Sequence, residues 1–114
     1  DGASVGKIQD VVMRDRETLG EQGIFVMIAI IDTHLHKLKK SPDIASRGFV
    51  YTKESQVLML EARDTIKNTI DAYLEKHKVF EADDLKEVLQ SVVGKFLMQK
   101  TAKEPVVIPV IITV

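Results

Sequence analysis

The sequence contains no cysteine, which excludes disulfide bonds, thiolate zinc sites and cysteine nucleophiles together. A chain without cysteine fits a reducing compartment, and we expect a cytoplasmic protein. Long hydrophobic runs are also lacking. The two longest, residues 24–31 and 106–112, are far shorter than the ~20 residues that a membrane-spanning helix needs. We therefore expect no membrane-spanning segment and no membrane partner.

Charge of one sign is not in excess, because 16 basic residues nearly balance 17 acidic ones and the formal net charge is -1. Nothing global therefore draws the chain to a polyanion, and any contact with nucleic acid must be local. The start, Asp1-Gly2-Ala3-Ser4, lacks an initiator methionine and the basic and apolar segments of a signal peptide. It indicates a piece of a longer protein. The length of 114 residues suits one domain with one core.

Two of the predicted strands lie in the first half of the chain. Residues 24–31 are continuously apolar and rich in branched side chains, which predicts a strand buried on both faces. Residues 35–40 alternate apolar with basic side chains, as a hairpin partner at the edge of a sheet does. The Ser-Pro-Asp sequence at residues 41–43 interrupts this pattern, and it predicts a loop that runs to about Tyr51.

Two segments have helical periodicity. The first, residues 53–76, has one apolar stripe, which consists of Leu58, Ala62, Ile66, Ile70, Tyr73 and Leu74. The second is expected to begin near Asp83 or Asp84, either of which can cap free amides, with Glu87 placed as in a capping box. Its stripe consists of Leu85, Val88, Leu89, Val92, Val93, Phe96 and Leu97. We expect close packing at Gly94, because glycine costs a helix about 1 kcal/mol relative to alanine.

The final strand follows Pro105 and covers residues 106–114, and Pro109 within it predicts an edge or a bulge. Together the elements predict an α+β fold, with a small three-stranded sheet in the order 2-1-3 covered on one face by two antiparallel helices. The third strand is expected to run parallel to the first. Residues 1–20 are interpreted as a connector from an upstream catalytic region, and residues 21–114 as the domain.

The strands also predict an interaction surface, because both faces of the sheet are apolar and two helices can cover only one of them. The residues concerned are Ile24, Val26, Ile28, Ile30, Phe25, Met27, Ile108, Val110 and Ile112. The sequence leaves open which alternation of the first strand faces the helices. We expect the uncovered face to self-associate or to pack on another domain of the parent protein.

Three stretches resemble the C-terminal region of ribonuclease J, of the metallo-β-lactamase and β-CASP superfamily. They are DGASVGKIQDVVMRDRETLGEQGIF at residues 1–25, SPDIASRGFVY at 41–51 and EPVVIPVIITV at 104–114. The resemblance implies a parent hydrolase that degrades and matures RNA with two zinc ions or similar metals. It further implies that a His-x-His-x-Asp-His motif in the N-terminal part of the parent binds those metals. The C-terminal domain then supports dimerisation and full activity.

The pair His34 and His36 is the one spacing in the sequence that resembles metal ligands. Leu38 and Lys39 stand where the family motif continues with aspartate and histidine, so the motif is incomplete. We expect the two histidines to be turn residues. We therefore expect no catalytic or metal site, no cofactor and no enzyme activity in this fragment alone.

One local basic cluster is predicted, made of Lys37, Lys39, Lys40 and Arg47. It could bind RNA phosphates without sequence preference, which would make the chain an accessory RNA-binding domain. No aromatic residues for base stacking are interleaved with the lysines, and lysines on an edge strand also prevent aggregation. We therefore favour an assembly domain of a ribonuclease J and keep RNA binding as the alternative.

Overall fold

The computed structural model describes residues 22–48 and 54–114, which form one sheet and a layer of two helices. The strands are β1 (Ile24–Asp32), β2 (Lys37–Leu38), β3 (Asp43–Arg47) and β4 (Val106–Thr113), and the helices are α1 (Glu54–Lys76) and α2 (Ala82–Thr101). The α+β class expected from the sequence is confirmed. The predicted connector, residues 1–20, lies outside the described residues.

β1 is the central strand of the sheet. β4 runs parallel to it along the whole of one edge, from the pair Ile24 and Val106 to the pair Ile31 and Thr113. The other edge of β1 is shared by two short antiparallel strands, β3 and β2. The central position of the first strand and the parallel direction of the last are therefore confirmed.

β3 was not predicted, because its residues fall inside the segment that we interpreted as a loop after Pro42. The structure corrects that interpretation, and the described residues form a sheet of four strands where three were expected. Pro42 precedes the first paired residue, Asp43, so its missing N–H removes no hydrogen bond from the ladder. The strand ends beside Gly48, whose φ of 67° is a conformation that glycine adopts easily.

The start of β1 lies against the end of β3. Gly23 has a φ of 85°, and a Cβ there would lie 2.6 Å from backbone atoms of Arg47 and Gly48. Glycine is therefore required at this position by both conformation and space. At the opposite end of β1, a turn at residues 33–36 closes with His36 at a φ of 53°. This turn takes up residues 35 and 36, so the predicted second strand is shortened to Lys37–Leu38.

The helices are antiparallel, as expected. Glu61, early in α1, lies 3.0 Å from Lys100, late in α2, and Tyr73, late in α1, donates a hydrogen bond to Asp84, early in α2. The predicted apolar stripe of α1 is buried, and that of α2 is buried at Leu85, Leu89, Val93 and Leu97. Val92 of the predicted stripe is exposed.

Two expectations about α2 are wrong. The helix begins at Ala82 with Glu81 as its N-cap, and the Glu81 side chain makes no capping hydrogen bond. Asp84 lies in the first turn, where its carboxylate accepts the hydroxyl of Tyr73 at 3.2 Å. Close packing at Gly94 was also expected, yet among the described residues a Cβ there would meet no atom outside its own helix backbone within 4 Å and would point into open space. A surface groove of about 610 Å³ includes Gly94 and the start of β4.

Membrane insertion by a helix finds no support in the described part of the chain. Neither α1 nor α2 is long and apolar enough to cross a bilayer.

Candidate interaction surface

The two faces of β1 have different surroundings. Phe25, Met27, Ala29 and Ile31 are fully buried and form one core cluster with the apolar stripes of α1 and α2. The intervening residues of β1 point to the opposite face because side chains alternate along a strand. These residues are Ile24, Val26, Ile28 and Ile30, and each is partly exposed. We call this second face of the sheet the open face.

β4 extends the open face by one strand. Directly paired residues of neighbouring strands share a face, and the register pairs Ile24, Val26, Ile28 and Ile30 with Val106, Ile108, Val110 and Ile112. The intervening residues Val107 and Ile111 pack on the helix side, against the core cluster. Exposure on the open face ranges from 4% at Ile108 to 43% at Ile112. Two adjacent strands thus present a continuous apolar surface with no polar side chain among these eight.

The predicted interface set divides between the two faces. Seven of its members, Ile24, Val26, Ile28, Ile30, Ile108, Val110 and Ile112, lie together on the open face. Phe25 and Met27 lie in the helix-covered core with no exposed surface, so they are not available to a partner of the folded domain. Val106 belongs to the open face and was missed in the sequence, although it continues the same alternation.

β3 bounds the open face on the side away from β4. Ile44 packs against the core cluster, so Asp43, Ala45 and Arg47 point to the open face by alternation. All three are exposed. Their partners on β1 are Ile28, Val26 and Ile24 respectively. The apolar strip is therefore bordered by an acidic and a basic side chain with a small residue between them.

β4 has a free outer edge among the described residues. The N–H of Val106 donates to Gly23 and that of Val114 to Ile31, both on the β1 side. Because N–H direction alternates along a strand, the nitrogen of Pro109 lies on the outer edge, where its missing hydrogen removes no bond to β1. The prediction of an edge strand is confirmed. The Gln90 side chain also donates to the outer carbonyl of Val107 at 3.3 Å, so this edge is partly blocked against a further strand.

The predicted basic cluster is not one cluster in the structure. Lys37, Lys39 and Lys40 are exposed at the β2 end of the sheet. Arg47 pairs with Ile24, at the other end of β1 from Asp32, the partner of Lys37. At ~3.3 Å per residue, the two ends of β1 lie about 26 Å apart.

Acidic groups lie beside two of the three lysines. The ammonium of Lys40 lies 3.4 Å from the carboxylate of Asp43. The hydrogen bond from the Leu35 N–H is the main influence that lowers the pKa of Asp32, and the nearby charge of Lys39 adds to it. The local positive charge available to a phosphate is therefore smaller than the sequence indicates.

The two candidate histidines lie in the turn between β1 and β2. The Nε2 of His36 lies 2.8 Å from the carbonyl oxygen of Leu74 and 2.6 Å from that of His77, both at the end of α1. Because a carbonyl only accepts hydrogen bonds, the Nε2–H of His36 is the donor. The Nε2 of His36 therefore makes its hydrogen bonds to the backbone at the end of α1. Within residues 22–48 and 54–114 there is no group of three or more His, Cys, Asp or Glu that could hold a metal ion.

The ring of His77 continues this arrangement along α1. It stacks on Tyr73 with 4.1 Å between ring centroids, and its Nδ1 lies 2.9 Å from the Tyr73 carbonyl oxygen. The Tyr73 hydroxyl donates to the carbonyl of Glu81 and to Asp84 at the start of α2. Burial raises the pKa of this phenol. His36 thus connects the β1–β2 turn to the end of α1, and Tyr73 connects the end of α1 to the start of α2. These polar side chains have a structural role.

A sheet with both helices on one face and an apolar open face on the other defines a two-layer α+β domain. The sequence model of the Ribonuclease J C-terminal domain matches residues 11–114, and the chain belongs to this family. The resemblance seen in the sequence is thus confirmed.

Similar full-length proteins include the ribonuclease J 2 of Staphylococcus aureus, 34% identical over 111 residues, which are 97% of this chain and 20% of that protein. The ribonuclease J 2 of Staphylococcus saprophyticus matches at the same identity and coverage. The chain spans about a fifth of the length of these curated relatives.

Proposed function

We propose that this chain is the assembly domain of a ribonuclease J and that it acts through the open face. The observation that carries the proposal is the continuous apolar surface of β1 and β4, which faces away from both helices. Apolar surfaces of this kind on a folded domain are usually protein interfaces. The surface can pair two subunits or pack on a neighbouring domain of the parent enzyme, and either contact positions the catalytic region.

The proposal includes the parent enzyme. It is a metal-dependent hydrolase that degrades and processes RNA in the cytoplasm, with zinc or similar metals bound outside this fragment. Support comes from the family of the chain and from the name of its relatives, ribonuclease J 2. In this arrangement the fragment supplies contacts and stability, and it supplies no catalytic group.

Direct RNA binding is the weaker alternative. The three lysines at the β2 end are exposed, but Lys40 lies beside Asp43, Lys39 beside Asp32, and Arg47 is at the far end of β1. We expect weak binding to single-stranded RNA at physiological salt. Replacing Lys37, Lys39 and Lys40 with alanine tests this, because binding that is tight at that salt and lost in the triple variant would favour the alternative.

The assembly role is tested by placing lysine on each face of β1. Ile28→Lys adds a charge to the open face, so the chain should stay folded and become monomeric. Met27→Lys buries a charge in the fully enclosed core, so the chain should unfold. Circular dichroism measures folding, and sedimentation equilibrium measures association. A wild-type chain that is monomeric at high micromolar concentration, together with unfolding of both variants, would overturn self-association through this face.

The absence of a catalytic centre has its own test. We expect no cleavage of a 5′-monophosphorylated RNA by the fragment with added zinc or manganese. Metal-dependent cleavage that is abolished by His34→Ala or His36→Ala, in variants that stay folded by circular dichroism, would contradict this expectation.

A further inference from the structure

We propose that the surface groove beside α2 binds the N-terminal segment of the same chain, with residues 11–13 in its apolar centre. The groove has a volume of about 610 Å³ and lies between α2 and the start of β4. A site of this size holds a small ligand or a few side chains. We call it the edge groove. The docking is intramolecular, so it goes beyond the proposed assembly function and does not depend on it.

The edge groove has an apolar centre with one charged residue towards each end. Met98, Pro105 and Val107 form the centre, and 44% of Met98 is exposed. Lys95 lies on α2, about 9 Å before the end of the helix. Glu104 lies beyond that end, in the link to β4. A chain segment that fits the groove therefore needs apolar side chains between an acidic and a basic residue.

The described chain enters the fold beside this groove. The side-chain oxygen of Gln22, the first described residue, accepts a hydrogen bond from the backbone N–H of Glu104. The preceding residues, 1–21, are thus joined to the domain at the Glu104 end of the groove. Val107 in the groove packs on the helix side of the sheet, away from the open face. The groove is therefore the nearer of the two apolar surfaces for this segment.

The segment before Gln22 carries a matching order of side chains. Read backwards from Gln22, it has the basic Arg14, then an apolar run of two valines and a methionine at residues 11–13, then the acidic Asp10. The chain from Gln22 back to Arg14 reaches up to about 28 Å, and Asp10 and Arg14 can be up to about 13 Å apart. The basic residue, the apolar run and the acidic residue thus meet the acidic end, the centre and the basic end of the groove in turn.

The family match gives independent support. The sequence model of the Ribonuclease J C-terminal domain begins at residue 11, ahead of the first described residue at 22. The apolar run therefore belongs to the same sequence unit as the sheet and the helices. A segment on so short a tether has a millimolar effective concentration at the groove, so a modest contact is enough to keep it bound. A separate partner would need a tighter site.

The docking has a consequence for the parent protein. We interpreted residues 1–20 as the connector from an upstream catalytic region. A connector that is held both at Gln22 and in the edge groove does not turn freely about the start of β1. The upstream region is then joined to the domain on the helix side, and the connector leaves the open face uncovered.

Engineered cysteines test the docking, because the chain has no cysteine of its own. Val12→Cys and Met98→Cys in one chain should form an intramolecular disulfide at low micromolar protein concentration, since this bond needs Cα atoms within about 7 Å. The control pairs combine Val12→Cys with Asp64→Cys on α1 or with Ile28→Cys on the open face. Both should cross-link at least about tenfold more slowly. Peptide mapping without reduction identifies each bond.

An exchange of charges tests the direction of the segment in the groove. Lys95→Asp or Asp10→Lys alone should speed tryptic cleavage after Arg16 about fivefold, because each variant places like charges side by side and releases the segment. The double variant Lys95→Asp/Asp10→Lys should be cleaved within about twofold of the wild-type rate. Lys78→Asp, in the loop after α1, is the control and should not change the rate. Mass spectrometry follows this single cleavage.

The outcomes decide each part of the proposal. A preferred cross-link between positions 12 and 98, with recovery of protection in the double charge variant, supports it. Equal rates for the three cysteine pairs, or a preference for Ile28→Cys, overturn the docking. Cleavage that does not respond to the charge changes overturns the direction of the segment. A charge variant that fails to fold by circular dichroism is replaced by Lys95→Gln or Asp10→Asn, which should speed cleavage to a smaller extent. None of these results depends on association of the domain, so the assembly role is tested separately.

Discussion

The two faces of β1 use the same kind of side chain and meet different surroundings. Phe25 and Met27 are enclosed by two helices, whereas Val26 and Ile28 lie on a face that the described helices leave uncovered. A strand that is apolar on both faces is expected to be buried on both faces. Its sequence does not indicate which element covers each face. In this domain one face is covered within the chain. The other face is the surface to which we assign the proposed assembly role.

The comparison predicts that equal truncations on the two faces have unequal effects on the stability of the monomer. Met27→Ala should lower the free energy of unfolding by about 2–5 kcal/mol, because it leaves a cavity in a closed core. Ile28→Ala should cost about 1 kcal/mol, because the side chain is already partly exposed and its surroundings can relax. Urea denaturation at a concentration below self-association measures both. Equal losses would break the comparison.

A smaller effect is expected where the β1–β2 turn is fastened to the helix layer. His36→Ala removes the donor to two carbonyl groups at the end of α1, and it should cost about 1–2 kcal/mol of the free energy of unfolding. His34→Ala in the same turn is the matched control and should change stability by less than about 0.5 kcal/mol. If the two variants are equally stable, the bond from His36 does not hold the helices over the covered face.

Gly94 offers a test of whether the outer side of α2 is free. Gly94→Ala should raise the free energy of unfolding by about 0.5–1 kcal/mol, because alanine favours the helix and, within residues 22–48 and 54–114, the added Cβ meets no atom outside its own helix backbone within 4 Å. Ser91→Ala on the exposed side of the same helix measures the ordinary gain in propensity. Destabilisation by Gly94→Ala in thermal unfolding would show that α2 is approached closely and would extend assembly beyond the open face.

The smallest effect concerns Asp32 at the end of β1. The backbone N–H groups of Leu35 and His34 donate to its carboxylate at 2.9 Å each, and the bond from Leu35 is the main influence that lowers the pKa of Asp32 below its usual value. The folded state therefore favours the charged carboxylate of Asp32 over the protonated form. This stability is present above the unfolded pKa of about 4 and is lost as pH falls through the folded pKa.

Asp32→Asn should accordingly flatten the loss of stability below about pH 4, measured as the urea midpoint against pH. Asp64→Asn, which changes an exposed carboxylate on α1, is the control. An acid profile that is identical in wild type and Asp32→Asn would show that the turn makes no contribution to the pH dependence.

Much of the fold could be predicted because long elements carry a clear period. Residues 24–31 and 106–114 were identified as strands from continuous apolar character, and the helical stripes from three- and four-residue spacing. The parallel direction of β4 followed from the two helices between it and β1. Each of these patterns depends on many residues, so a single atypical residue does not change the prediction.

β3 could not be predicted from local sequence because it is short and Ile44 is its one large apolar side chain. Its pairing energy comes from the edge of β1, which is distant in the sequence. The N-cap of α2 was misplaced for a similar reason, since the Asp84 carboxylate is held by Tyr73 of the other helix. Tertiary contacts decide both cases.

The sequence predicts that both faces of β1 are apolar. It does not predict which of the two faces the helices cover. Either alternation of β1 could have faced the helices, because Ile28 and Met27 are equally apolar. The structure selects Met27 for the core. The basic cluster was overestimated for a related reason, since Lys37 and Arg47 are separated by nearly the length of β1 and the sequence does not reveal that distance.

The pairing of β1 with β4 joins the first and last strands of the described chain, and Thr33 donates its hydroxyl to Val114 across 81 positions. During translation, β1 leaves the ribosome long before the strand that completes its second edge. Contacts this distant close slowly, and until they do, the edge of a strand made of isoleucine, valine and phenylalanine is open to other chains. Nascent chains that stall before Val106 should therefore expose a β1 edge that chaperones or aggregates can occupy.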